Sequence, residues 1–299
     1  MDIREKIKKL NCGEIIIDAS LKKYNTYNVD SSALAIVFPK DIQDLKNIIE
    51  FAKNNLVKIK VLGNGSNLIF VKDYYETIFI NLKNLNNFEV NDNVVVAQSG
   101  VNLMKLAYHV SRMGLTGMEF ATGIPATVGG AVYMNAGAYN SDISNILVGA
   151  KILTDNLEIL EYSNVDFEFA YRFSCLQKKS NYICLEATFK LDYGNKEEIL
   201  NLINDRKNRR INTQPLEFPS AGSIFRNPSK EIFAGKLIEE LNLKGKKIGD
   251  AQISEKHANF IINMGNANGN DIKVLILETK NLVKDKYNIE LKVEQEFVE

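Results

Sequence analysis

The chain has 299 residues, 37 Lys and Arg against 37 Asp and Glu, and 45% hydrophobic residues. That balance argues against a nucleic-acid-binding surface and against an acidic solvating tail, and the length suits two or three globular domains. Three widely spaced cysteines (Cys12, Cys175, Cys184) with no Cys-x-x-Cys, and two histidines (His109, His257), argue against a disulfide framework and against a metal site. The N-terminal run MDIREKIKKLNCGEIII holds no long apolar segment and no later stretch reaches a membrane span, so we expect a reduced, soluble, cytoplasmic protein without a signal peptide.

In chain order, Ala35–Phe38 reads as a strand stopped by Pro39. Residues 41–55 follow as a helix with Ile42, Leu45, Ile48, Ile49 and Ala52 on one face and Asp41 as N-cap. Residues 57–62 and 77–82 read as strands, and residues 88–97 as a hairpin turning at Asn91-Asp92-Asn93. Residues 102–113 form a helix facing inward through Leu103, Leu106, Ala107, Val110 and Met113, stopped by Gly114; His109 on it reads as a packing residue. Residues 148–153 and 158–162 make a hairpin, 182–191 a strand, and 196–210 a helix. Arg210–Pro215 reads as a linker, because three of the five prolines fall in INTQPLEFPSAGSIFRNP. Beyond it lies an α+β unit: helix 232–242 burying Ala234, Leu237, Ile238 and Leu241, strand 258–264, helix 271–287, and a closing strand 289–298 with Glu290, Glu294 and Glu296 on one side.

Three loops of small residues interrupt this pattern. The longest, Gly117–Tyr139 (GMEFATGIPATVGGAVYMNAGAY), is rich in Gly and Ala and has no Lys or Arg. Such a run suits close approach of the backbone to another backbone or to a ligand, and phosphates held by a nest of N–H groups are one such ligand. The second, Gly63-Asn64-Gly65-Ser66-Asn67, follows a strand, but it lacks a third glycine and is followed by the β-like LIFV. A dinucleotide turn needs a helix there, so this is not a Rossmann fingerprint. It is either a phosphate-holding nest helped by Ser66 and Asn67 or a plain hairpin turn. The third loop is Ser220-Ala221-Gly222-Ser223.

Together these stretches resemble the UDP-N-acetylenolpyruvoylglucosamine reductase family. The resemblance runs through NTYNVDSSALAIVFPKD, VLGNGSNLIF, FATGIPATVGGAVYMNAGAY, the YRFS around Arg172, PLEFPSAGSIFRNP and KLIEELNLKGKKIGDAQISEKHANFIIN. The order and spacing of the loops make it specific, whereas any one glycine loop is a weak signal. The chain departs from the usual glycines of the family at Asn64, Ala126 and Asn140; Asn tolerates left-handed backbone, and Ala126 implies either negative φ or slightly less room for the cofactor there. Lacking the extra segments of the longer class, it resembles the shorter, type II class.

The resemblance implies an α+β fold: an FAD-binding region of the p-cresol methylhydroxylase type (about 30–194) made of two α+β subdomains, and a C-terminal substrate-binding domain. The corresponding boundaries are 1–84, 85–210 and 211–299. It implies non-covalent FAD, NADPH as hydride donor, and UDP-N-acetylglucosamine enolpyruvate as substrate, in a monomer that makes peptidoglycan precursors. It places Arg172, Ser223 and Glu294 at catalytic positions, as carboxylate-binding cation, proton donor and carboxylic acid. FAD would meet Gly63, Asn64, Gly65, Ser66, Asn67 and Leu68 in one loop. In the other it would meet Gly123, Ile124, Pro125, Ala126, Thr127, Gly129, Gly130, Asn135, Ala136 and Gly137. Asn227 and His257 would face substrate. The competing readings are another flavin oxidoreductase of the same fold and a non-catalytic nucleotide-binding protein.

Overall fold

The apolar periodicities fold where side-chain burial rewards them. In the computed structural model, which describes residues 2–179 and 181–299, helix Ile42–Asn54 buries Leu45, Ile48, Ile49 and Ala52, and the Asp41 carboxylate accepts from the Asp44 N–H at 2.8 Å as its N-cap. Helix Leu103–Arg112 starts at Asn102, whose side chain accepts from the Lys105 N–H at 2.9 Å, and stops before Gly114 at φ 84°. It buries Leu103, Leu106, Ala107 and Val110, but Met113 is 53% exposed: the expected inward position falls on the C-cap, past the last helical turn. His109 is exposed and meets the Phe88 ring edge-on at 5.1 Å between centroids.

The chain forms two compact units. The first comprises residues 1–17, 35–64 and 76–208. Its larger sheet is wholly antiparallel, in the order Ile159–Ser163, Leu147–Leu153, Ile183–Lys190, Val94–Gln98, Phe88–Asn91. Val95, Ala97, Ile152, Ala187 and Phe189 on this sheet share one core with Leu106 and Val110 of helix Leu103–Arg112 and with Val128, Ala131 and Val132 of helix Val128–Met134. A four-stranded sheet has the order Glu14–Ser20, Ser32–Phe38, Tyr74–Asn81, Lys58–Leu62, the last two parallel with Lys58 opposite Thr77. Strands Lys58–Leu62 and Leu68–Phe70, on either side of the 63–67 loop, belong to different sheets, so that loop is not a hairpin turn.

The second unit comprises residues 18–34, 65–75 and 209–299. An antiparallel sheet of Lys247–Ile248, Ala251–Ile253 and Ile261–Asn263 accompanies helix Gly269–Tyr287, which carries a reciprocal capping box between Asn268 and Asp271. Leu68–Phe70 pairs in parallel with Glu296–Val298. Three sequence expectations shift here. Helix Lys196–Thr213 runs into the expected linker: Gln214 N–H still bonds back to Arg210 O and Thr213 Oγ1 to Arg209 O, both at 2.8 Å, and Pro215, which has no N–H, cannot extend it. Helix Ala234–Glu240 ends before Leu241, which is half-buried. The closing strand shortens to Glu296–Val298 after an isolated bridge at Val293, so the period-2 argument for Glu290, Glu294 and Glu296 does not apply.

Candidate active site and cofactor cradle

The turn around Arg172 is fixed by its neighbours. Ala170 and Phe173 exchange backbone hydrogen bonds at 3.1 and 3.0 Å, which closes a tight turn and puts Arg172 at φ 56°. A non-glycine residue there is strained, and the surroundings hold it: Asn135 Nδ2 donates to Ala170 O at 3.0 Å and Gln177 Nε2 to Arg172 O at 3.1 Å. The guanidinium donates from Nη2 to Gly137 O at 2.7 Å and lies 5.0 Å from the Tyr171 ring centroid. A planar guanidinium bonded to a backbone carbonyl and set over an aromatic ring is held in place, and its fixed charge suits an anion.

The glycine stretch divides into a buried part and a rim. Asn135, the left-handed C-cap of helix Val128–Met134 at φ 43°, bonds Ala170 and accepts from the Ser144 N–H at 3.0 Å. A Cβ on Gly129 would lie 1.9 Å from Ser99 Oγ, and one on Gly137 2.4 Å from Ser141 O, so these two are glycines because the chain itself crowds them. The helix N-terminus is also engaged. Val128 and Gly129 N–H bond Val101 O and Ser99 O at 2.9 Å, and Gly130 N–H bonds Thr127 Oγ1 at 3.2 Å.

What stays at the surface is the rim: Gly123, Ile124, Ala126 and Gly130 are half-buried and Pro125 is exposed, beside the half-buried Gly63 and the exposed Asn64. The two loops are tied by Asn64 Nδ2 donating to Pro125 O at 3.1 Å and by the close approach of Gly63 to Thr127, where a Cβ would come within 2.9 Å of Oγ1. Asn140 takes the left-handed conformation, at φ 60°, whereas Asn64 and Ala126 do not require it.

In the second unit, Gly65 has φ 63° and accepts from the Thr26 N–H at 3.3 Å; Thr26 Oγ1 is buried with no hydrogen-bond partner among the described residues. Asn67 reaches the closing segment twice: its Nδ2 donates to Glu294 O at 3.1 Å and its O accepts from Glu296 N–H at 2.9 Å. Ser66 and Leu68 beside it are half-buried. A rim of accessible backbone and neutral side-chain donors, with no Cβ on Gly63 or Gly130, suits the diphosphate of a flavin dinucleotide.

Ser223 and Glu294 are brought together by backbone pairing. Glu294 N–H bonds Ile224 O at 2.7 Å, Ile224 N–H bonds Asn259 O at 3.0 Å, and Ser223 bridges Phe260. The Asn259 side chain bonds both the N–H and the O of Phe225, at 3.0 and 2.9 Å, and so completes the pairing where no regular strand runs. Both Ser223 and Glu294 are half-buried. Glu290, by contrast, is paired with Lys280 at 3.0 Å, which lowers its pKa. Asn227 Oδ1 accepts from the Ala234 N–H at 3.1 Å. His257 Nδ1 accepts from the Asn259 N–H at 3.2 Å, which places the proton of the neutral ring on Nε2; the ring packs on Phe260 at 4.8 Å and comes within 3.4 Å of where a Cβ on Gly235 would sit. Burial depresses its pKa.

The whole chain has close relatives. Residues 214–298 match the family described as UDP-N-acetylenolpyruvoylglucosamine reductase, C-terminal domain, and residues 33–163 match the FAD binding domain. UDP-N-acetylenolpyruvoylglucosamine reductase of Anoxybacillus flavithermus is 42% identical over 297 residues, 99% of this chain and 98% of that one. The chain belongs to the UDP-N-acetylenolpyruvoylglucosamine reductase family. The enzyme of that name from Bacillus licheniformis is 40% identical over 98% of this chain and 97% of its own length. The crystal structure of the Thermus caldophilus reductase superimposes with a TM-score of 0.80 at 32% identity, covering 96% of this chain and 98% of that one. A Physcomitrella patens BBE-like 1 structure, at 15% identity and TM-score 0.50 over 64% of this chain and 45% of that one, shares the fold alone.

Within this reductase-family chain, three buried amides to which the sequence assigns no role brace these loops. Asn25 pins the 21–29 turn with three bonds, to Leu21 O, Val29 O and Val29 N–H at 2.9, 3.1 and 2.9 Å. Gln295 and Asn259 are buried amides with no periodic or spacing signature; only their partners reveal them.

Proposed function

We propose that this chain reduces UDP-N-acetylglucosamine enolpyruvate to UDP-N-acetylmuramate with NADPH, through non-covalently bound FAD, as a step of peptidoglycan precursor synthesis. The observation that carries this is the match of one chain, nearly end to end, to reductases of that name, with an FAD-binding region at 33–163 and the reductase C-terminal domain at 214–298. The bound flavin supplies hydride transfer between the two substrates.

The protein's part is to hold, orient and protonate. Gly63, Asn64, Gly65, Ser66, Asn67 and Leu68 in one loop would hold FAD. Gly123, Ile124, Pro125, Ala126, Thr127 and Gly130 in the other would do the same, with Gly129, Asn135, Ala136 and Gly137 shaping the backbone beneath. Arg172 would bind the substrate carboxylate and stabilise the negative charge that develops on it. Ser223 would hold on Oγ the proton delivered to the carbon next to the new C–H bond; a serine is acid enough only for a strongly basic acceptor within hydrogen-bond reach. Glu294 would donate to the same carboxylate in its protonated form. Asn227 and His257 would contact the nucleotide sugar. The division into 1–84, 85–210 and 211–299 is proposed with it; the separate matches at 33–163 and 214–298 support its last boundary alone. We also propose a cytoplasmic monomer acting on small molecules; among the described residues no helix is long and apolar enough to cross a membrane.

The visible spectrum of purified protein tests this reading. A yellow, extractable flavin that bleaches with NADPH, and recovers on addition of the enolpyruvyl nucleotide sugar under anaerobic conditions, is the expected result. Recovery with oxygen but not with that substrate would indicate another flavin enzyme of this fold. A colourless protein that takes up no added FAD would overturn the proposal.

A further inference from the structure

Tyr27, beside Asn25 and Thr26, has no part in the roles above, yet it is among the largest fully buried side chains of the described residues. Tyr27 OH donates to Gln295 Oε1 at 2.9 Å. Gln295, 3% exposed, turns its Nε2 toward three successive carbonyls, Ala221 and Gly222 at 3.1 Å and Ser223 at 3.4 Å. The amide has one orientation that satisfies these partners, because its oxygen would meet three acceptors if it were flipped. The loop it holds needs such restraint: Gly222 sits at φ 76°, and a Cβ there would find nothing within 4 Å, so side-chain packing does not fix its path.

We propose that Gln295, oriented by Tyr27, is the positioning residue for the Ser223 hydroxyl. Gln295 directly follows Glu294 in the chain, whose N–H bonds Ile224 O at 2.7 Å. One dipeptide therefore registers the two proposed acids: Glu294 through its backbone against Ile224, and Ser223 through the Gln295 amide on residues 221–223. The Tyr27 backbone is itself held, its O accepting from Asn263 Nδ2 at 2.8 Å, so the hydroxyl is delivered from a fixed anchor. A buried network of this kind specifies one loop conformation because every member needs the others for its hydrogen bonds. Proton donation depends on placement of the donor, and a shift of about 1 Å from a change outside the reacting atoms can cost ~10²-fold.

The inference rests on Ser223 as proton donor, and the test separates the two. Full-length Tyr27→Phe, Gln295→Leu and Ser223→Ala are compared with wild type by hydrogen exchange of the 221–225 amides, and by rapid mixing of the two half-reactions. Tyr27→Phe should raise exchange of those amides roughly tenfold and slow substrate-driven recovery of flavin absorbance roughly tenfold. Bleaching by NADPH and the KM for the nucleotide sugar should stay within about twofold. Gln295→Leu should slow the recovery further, toward ~10²-fold. If Ser223→Ala slows recovery and neither other variant changes recovery or exchange, Gln295 does not position the donor and the inference is overturned. If bleaching and recovery slow equally in Tyr27→Phe, the pair is merely structural, which also overturns it. If Ser223→Ala leaves recovery unchanged, the donor role fails, and unchanged exchange in Tyr27→Phe and Gln295→Leu then overturns the restraint as well.

Discussion

Gly65 and Gly222 form a matched pair for weighing backbone crowding against backbone strain. Both lie in the second unit and both have positive φ, 63° and 76°. Placing Ala at either costs the left-handed conformation of an L residue, about 1–2 kcal/mol. At Gly222 nothing else is met. At Gly65 the new methyl would lie 2.1 Å from Tyr24 O and 2.8 Å from Asn25 Cα, both backbone atoms. The 21–29 turn cannot yield easily, since Asn25 ties it to Leu21 and Val29. Relief requires an overpacking shift costing ~1–3 kcal/mol, and it breaks the 3.3 Å bond from Thr26 N–H to Gly65 O, worth ~1 kcal/mol. Gly65→Ala should therefore destabilise by about 3–6 kcal/mol and Gly222→Ala by only about 1–2 kcal/mol. Urea unfolding of the flavin-free proteins, followed by far-UV circular dichroism, measures both. Equal losses would refute the argument that the 63–67 loop is glycine-bearing because the Tyr24–Asn25 backbone abuts it.

Ser223→Ala should slow substrate-driven recovery of flavin absorbance by roughly 10²–10⁴-fold while NADPH bleaching is nearly unchanged; rapid-mixing spectroscopy reads both. His257 has a pKa lowered below its ordinary 6.5, chiefly by burial, with the nearby Lys244 acting the same way and Glu239 opposing. Its neutral form is the one the fold prefers, so its contribution is fully present above about pH 6.5 and is lost as pH falls below that value toward the depressed one. His257→Gln should flatten the fall of the urea midpoint between about pH 7 and 5, and parallel profiles for variant and wild type would count against it. All three thiols are buried with raised pKa values, Cys184 pushed up to about 12 by burial. A disulfide reagent at about pH 8 should label none of them in the native protein and all of them after denaturation.

What the sequence determined by itself was local or cumulative. Helix faces such as Leu45–Ala52 and the Asp41 cap follow from periodicity and short-range hydrogen bonding, which need no distant partner. The rejection of a Rossmann turn at 63–67 followed from what came next in the chain, and strand Leu68–Phe70 stands there. The family resemblance followed from the order of several motifs. The tertiary structure decided what depends on partners remote in sequence. It gave Gly129 and Gly137 a packing role, because Ser99 and Ser141 crowd them. It removed Glu290 from the three closing glutamates by pairing it with Lys280. It shortened the last strand, since Glu296–Val298 pairs along a ladder with Leu68–Phe70 while Val293 makes an isolated bridge to Phe225. And it made Gln295 a keystone by setting Tyr27, 268 positions away, against its amide. A side-chain amide carries no periodicity; its meaning lies in the donors and acceptors that folding brings to it.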